Sequence, residues 1–228
     1  MKNLPVGKVP YGTTFKVFDD EFIALDYQDG AVLAIRKEIW RKAPFDEGGK
    51  NDLRTASINK HLAEYEDTLI KAGAQGSLRA RNFDLKATDG TREYGYLAGV
   101  CVALLTLEQY GKYQHLIPDV DGWWWLATPV WTPAQKGGDA SYAWFVFTIG
   151  SCNFSYCTFT FGIRPALYFS SSLLVSIPDD EDAAPAVDES ALFQEYLDYI
   201  DAWPEEAEPG TSPMTFEEWK ESMKKDGD

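Results

Sequence analysis

The chain has 228 residues, 45 % of them hydrophobic and 14 % aromatic, with a formal net charge of -15. That length supports a sizeable core, and the composition belongs to a folded globular protein, not a disordered one. The acidic balance speaks against a nucleic-acid surface, where Lys and Arg must neutralise phosphates, and against an anionic membrane face; its plain reading is solubility through self-repulsion.

Three cysteines, Cys101, Cys152 and Cys157, make an odd number without metal-finger spacing, and the C-x4-C of the last two defines neither a zinc site nor a disulfide. The opening Met-Lys-Asn-Leu-Pro lacks the apolar core of a signal peptide, and no run reaches transmembrane length. Cytoplasmic synthesis without a signal peptide is the expectation, with association with a virion left open.

Gly12 to Arg36 reads as a three-stranded meander. Phe15 and Val17 alternate with polar neighbours, Phe22 to Leu25 and Val32 to Ile35 are apolar runs, and Asp29-Gly30 between them suits a type I′ turn. Pro44 to Asn51 is a loop by composition. A helix follows, starting near Thr55 or Ser57, with Ile58, Leu62 and Tyr65 on one face. A further helical turn near Thr68 to Ala72 ends at Gly73 and Gly76. His61 in this helix has no Asp, Glu or Cys cluster beside it and reads as structural or solvent-facing. Arg79 to Gly95 is polar and turn-rich, Val100 to Leu105 looks like one buried strand, and Thr106 suits the N-cap of a short helix.

Trp123-Trp124-Trp125-Leu126 as a strand sends Trp124 and Leu126 to one face and Trp123 and Trp125 to the other. Each tryptophan can bury about 150–250 Å², so both faces need cover. Trp131, beyond Pro129, is expected to be the exposed tryptophan. Between Ser141 and Ile163 there is no charged residue. Ala140 to Ile149 could pair with Ser155 to Phe161 around a turn at Gly150 to Asn153. Apolar rings fill both alternation classes there, Trp144 on one and Phe145 and Phe147 on the other. Either this hairpin is core covered on both sides, or some rings stand in water and mark an interaction site. Tyr and Trp among Ser, Thr and Asn are the chemistry of a paratope.

After Phe169, Ser170 to Ser176 reads as a last strand. Pro178 to Pro185 is acidic and rich in Pro and Ala. Leu192, Tyr196 and Ile200 sit at helical spacing, and Thr215 could cap another helix. The expected architecture is α+β: mixed antiparallel sheets with two or three short helices in a domain over 1–176. An acidic linker over 177–188 and a helical C-terminal tail over 189–228 follow.

The sequence W-W-W-L-x-T-P at Trp123 to Pro129, V-x-x-x-G at Val146 to Gly150 and G-I-R-P-A-L at Gly162 to Leu167 resembles the C-terminal half of C-type-lectin-fold variable proteins of diversity-generating retroelements. It is also similar to a related phage and bacterial domain family with the same ending. Asn51 to Ser57 and Ala103 to Tyr110 resemble further parts, so the likeness spans roughly residues 5 to 176. It implies a C-type-lectin-like fold whose variable region, about 140–161, binds a protein or cell-surface ligand. In such systems template adenines are randomised, most often in Asn codons, which cannot become Lys, Glu, Gln, Met or Trp. Phe145 to Phe161 contains none of those five; Trp144 is then fixed or comes from another codon.

On that pattern Val146, Gly150, Gly162, Arg164 and Pro165 are scaffold, with Arg164 held by buried hydrogen bonds. The ligand-facing positions it implies are Tyr142, Trp144, Phe145, Phe147, Thr148, Asn153, Ser155, Tyr156, Thr158 and Thr160. Cys152 and Cys157 would be accidents of diversification. No catalytic residue, metal or cofactor is expected, no nucleic acid and no membrane insertion; the oligomeric state is left open. The alternative is a formylglycine-generating-type oxidase, for which Cys152 and Cys157 are the sole candidate pair, or another enzyme on the same fold. The E-P-N, Q-P-D and W-N-D motifs of calcium-dependent sugar binding are missing, and Asp119, Asp121 and Asp139 are scattered as calcium ligands. G-x-S-x-G, H-E-x-x-H and a Gly-rich phosphate loop are missing too.

Overall fold

A computed structural model describes residues 1–135 and 137–178. The linker beyond Pro178 and the helical tail expected over 189–228 lie outside the described residues. The described part is α+β, with mostly antiparallel sheets and two α-helices.

The strands in chain order are β1 (Lys2–Pro5), β2 (Thr14–Val17), β3 (Asp20–Gln28), β4 (Ala31–Arg36), β5 (Arg41–Pro44), β6 (Arg81–Asp84) and β7 (Tyr96–Val100). They continue with β8 (Val102–Ala103), β9 (Trp124–Pro129), β10 (Tyr142–Val146), β11 (Cys152–Tyr156), β12 (Thr160–Ile163), β13 (Ala166–Ser170) and β14 (Leu174–Ile177). One sheet runs β1-β14-β2-β3-β4-β13-β8, a second runs β11-β10-β9-β12-β5, and β6 and β7 form a ribbon of their own. Every pairing is antiparallel except that of β12 with β9.

The expected meander is β2 to β4. Asp29 and Gly30 both take positive φ, 47° and 73°, as a type I′ turn demands. A second such turn, Phe18-Asp19 at 53° and 59°, joins β2 to β3 without a glycine, which is why composition gave no sign of it. Helix α1 (Ile58–Leu69) buries Ile58, Leu62, Tyr65 and Leu69, one face at helical spacing. It ends in a wider turn, Ile70–Ala74, where Gly73 at φ 106° reverses the chain. Helix α2 (Leu107–Tyr113) starts from Thr106, whose side chain accepts from the Gln109 N–H while the Gln109 side chain accepts from the Thr106 N–H.

Three expectations are corrected. The polar stretch Arg79 to Gly95 contains strand β6. The run Val100 to Leu105 is not one strand: Val100 ends β7, and only Val102–Ala103 joins β13. The hairpin at 140–161 is shorter than expected, because β10 pairs with Cys152–Tyr156 while Thr160–Ile163 crosses to the far side of β9. Two polar edge strands, β1 and β5, carry no alternation and are not legible in the residues alone.

Two cores flank the five-stranded sheet. One contains Trp125, Ala127, Ala143, Phe145, Cys157 and Ile163 together with the apolar face of α1. The other contains Trp124, Leu126 and Val146 with Tyr110 and Tyr113 of α2. Period-two alternation along β9 feeds both, so both of its faces are covered as expected. Among the described residues no helix is long and apolar enough to cross a membrane.

Candidate binding surface

The G-I-R-P-A-L segment anchors the surface from below. A Cβ on Gly162 would come within 2.7–2.9 Å of the Ile39 side chain, so only glycine fits where β12 meets β9. The Gly162 N–H donates to the Trp123 carbonyl at 2.6 Å. Arg164 is 1 % exposed and donates to the carbonyls of Arg36, Lys37 and Pro118, with the Trp124 ring 5.2 Å away. Burial lowers its pKa to about 10. These acceptors supply the buried hydrogen bonds that a core guanidinium requires.

Trp124 meets Tyr110 edge-on at 5.4 Å, while Trp125 donates its indole N–H to the Ala43 carbonyl at 3.0 Å. Among the described residues the exposed tryptophan is Trp123, at 43 %, and not Trp131 as expected. Trp131 is half-buried because Tyr142 and Phe154 pack against it, with centroids 5.9 and 5.7 Å away.

The β10–β11 turn is Phe147 to Ser151, earlier in the chain than the expected Gly150 to Asn153. Phe147 N–H donates to Ser151, and Gly150 N–H donates back to Phe147. Gly150 needs its positive φ of 77°, and its carbonyl accepts a 2.6 Å bond from the Tyr110 hydroxyl. Thr148 and Ile149 stand exposed at the tip.

On one face of the hairpin Tyr142 lies opposite Tyr156 and Trp144 opposite Phe154. Their ring centroids are 4.3 and 5.6 Å apart, and Tyr142 also touches Phe154 at 5.8 Å. The Tyr156 hydroxyl raises the Tyr142 phenol to about 12. The Trp144 indole N–H donates to the Thr88 hydroxyl. Cross-strand ring pairs of this kind contribute about 0.2–1 kcal/mol each. Even so, Phe154 and Tyr156 remain 39 % and 46 % exposed.

The opposite face turns inward. Phe145 is 3 % exposed and packs with Trp123, Trp125 and Phe161, so this candidate ligand-facing residue belongs to the core. Phe147 is half-buried beside Phe145 and Trp123. Ser155 is half-buried, and Asn153 is exposed with its side-chain Oδ1 accepting from the Phe154 N–H. Thr158 and Thr160 are exposed beyond the hairpin, with Phe159 between them. Contacts Tyr156–Phe159 and Phe159–Phe161, at 6.0 and 6.4 Å, link the outer face to the Trp123 cluster. The structure thus brings Tyr142, Trp144 and Tyr156 together, leaves Thr148 exposed at the turn, Asn153 exposed on the other face and Thr158 and Thr160 exposed beyond β11, and removes Phe145.

Sequence reasoning missed Phe154, Phe159 and Phe161, although an aromatic inside an uncharged run was the signal that could have found them. It also missed the support. Asn51, fully buried, donates from its side chain to the carbonyls of Trp131 and Tyr142 at 2.8 Å each and accepts from the Tyr94 hydroxyl at 2.9 Å. Its N–H reaches the Ala140 carbonyl. One amide therefore clamps both ends of the loop between β9 and β10.

Compared with protein-family models, curated proteins and solved structures, the chain matches none.

Cys152 packs against the core that holds Trp124, whereas Cys157 is sealed in the core that holds Trp125. Both thiols are free. Burial raises both, Cys157 to about 12. A nucleophilic cysteine needs a lowered pKa and access, and neither has both. Arg41 approaches His61 Nδ1 at 3.0 Å on the α1 surface, close to Glu64. Among the described residues no three His, Cys, Asp or Glu side chains gather as metal ligands.

Proposed function

We propose that this chain is a non-enzymatic ligand- or receptor-binding protein, displaying a diversified surface on a C-type-lectin-like scaffold of the retroelement variable type. The observation that carries the reading is the outer face of the β10–β11 hairpin. There Trp131, Tyr142, Trp144, Phe154 and Tyr156 hold one another in place and leave ring surface in water. Rings on a core strand would be covered; rings on a solvated strand would normally be polar residues instead. Aromatic rings fixed by one another and partly exposed give large contact area at low entropy cost, a feature of protein-binding paratopes.

The scaffold positions support the same reading for physical reasons. Gly150, inside the variable stretch, and Gly162 and Arg164, just after it, each meet a local structural demand: a positive φ, a close approach to Ile39 and three buried carbonyls. The separate burial of Cys152 and Cys157 favours display over thiol chemistry. The test lies in the neighbouring DNA. A reverse-transcriptase gene and a near-copy of codons 140 to 168, differing mainly at adenines, support the reading; a locus with neither overturns the retroelement part of it.

A further inference from the structure

We infer that a hollow beside Trp123, outside the hairpin's outer face, takes a carboxylate-bearing side chain next to an apolar one, so that the partner presents an acidic peptide segment. This rests on reading the end of the five-stranded sheet as a recognition surface. The hollow measures about 280 Å³ and is lined by Lys42, Trp123, Thr160 and Phe161. Three elements build it: Lys42 lies on β5 opposite Gly162, Thr160 and Phe161 lie on β12, and Trp123 precedes β9.

Its apolar wall is fixed before any ligand arrives. The Trp123 ring stacks on Phe145 at 5.3 Å and meets the Phe147 and Phe161 rings edge-on at 4.8 and 5.3 Å. A wall held in this way does not have to be ordered on binding, which favours affinity.

The polar groups on the lining select the ligand's charge. A lysine ammonium and an indole N–H can only donate, and a threonine hydroxyl can also donate. Among the described residues, no hydrogen-bond partner is formed by Lys42 Nζ, Trp123 Nε1 or the Thr160 hydroxyl, and no carboxylate lies within ion-pair reach of Lys42. Asp121, two residues before Trp123, does not pair with it. Unused donors around an apolar floor ask for an acceptor group attached to an apolar body.

The acidic charge of the chain is concentrated outside residues 1–178. Residues 179–228 contain 17 Asp and Glu against three Lys, which accounts for -14 of the net -15. Residues 1–178, which build the hollow, are therefore within one charge of neutral.

The probes are N-acetyl-Asp-Phe-amide and N-acetyl-Asn-Phe-amide, each titrated into the full chain by ligand-observed NMR at low salt. Saturable binding on the order of millimolar is expected, with a preference of up to about fivefold for the Asp peptide, the range of an exposed ion pair. High salt and Lys42→Gln both erase that preference. Trp123→Ala abolishes binding of both peptides, and Tyr156→Ala leaves it intact. Failure of either peptide to saturate, equal affinity for the two, or a preference that survives Lys42→Gln overturns the inference. Target binding through Phe154 and Tyr156 is read in a separate assay, so failure here leaves the broader reading standing.

Discussion

The Tyr110 hydroxyl donates to the Gly150 carbonyl at 2.6 Å and ties α2 to the tip of the β10–β11 hairpin. Tyr110 is itself buried against Trp124, so the bond connects the turn to the second core. Tyr110→Phe keeps the ring and removes the bond. It is expected to cost about 1 kcal/mol by urea unfolding, and to speed amide exchange at Phe147 and Gly150 more than in β9. Uniform loss of protection would mean that the bond does not hold the turn.

Asn51 has a larger role, since three side-chain hydrogen bonds converge on it in the core. Asn51→Ala leaves two carbonyls and the Tyr94 hydroxyl without partners. The expected loss is about 3 kcal/mol or more, accompanied by mobility of Trp131 in its fluorescence. Tyr94→Phe removes one bond alone and is expected to cost about 1 kcal/mol.

Burial raises the Cys157 thiol to about 12, whereas an unfolded cysteine ionises near about 8.5. Below about pH 8.5 both states keep the proton and this contribution to stability is whole. As pH climbs from there towards 12 the unfolded chain gives up its proton first, so stability falls. Cys157→Ser is expected to flatten that alkaline decline. In alkylation at mildly alkaline pH followed by mass spectrometry, Cys157 reacts only on global unfolding, while half-buried Cys101 and Cys152 react earlier.

Much of this fold is legible where a local rule operates without competition. Asp29-Gly30 fixes one turn, the Ile58-Leu62-Tyr65 spacing fixes α1, and Thr106 fixes the start of α2. The binding surface is less legible for a physical reason. Phe145 and Phe147 share an alternation class, yet only Phe145 is sealed, because β12 crosses over and brings Phe161 against it. That crossover is a long-range event with no mark in the residues around it. Trp123 and Trp131 exchange their expected roles through the same kind of tertiary cover: Tyr142 and Phe154 shelter Trp131, whereas Trp123, stacked on Phe145, stays 43 % exposed. Arg164 is the opposite case, a lone charge between the apolar strands β12 and β13 whose need for buried acceptors could be read in advance and is met by three carbonyls.

The central claim is that the two faces of one hairpin have different work, core on the Phe145 side and recognition on the Tyr156 side. Equilibrium unfolding separates them when read beside binding to a target chosen by screening an array of extracellular proteins. Phe145→Ala is expected to cost about 3–5 kcal/mol, the usual loss for a buried ring. The Phe154→Ala, Tyr156→Ala double variant is expected to unfold within about 1–2 kcal/mol of the parent, since exposed cross-strand pairs contribute little, and to lose target binding by tenfold or more. Unfolding of the double variant on the scale of Phe145→Ala, or undiminished binding after both rings are gone, would contradict the account.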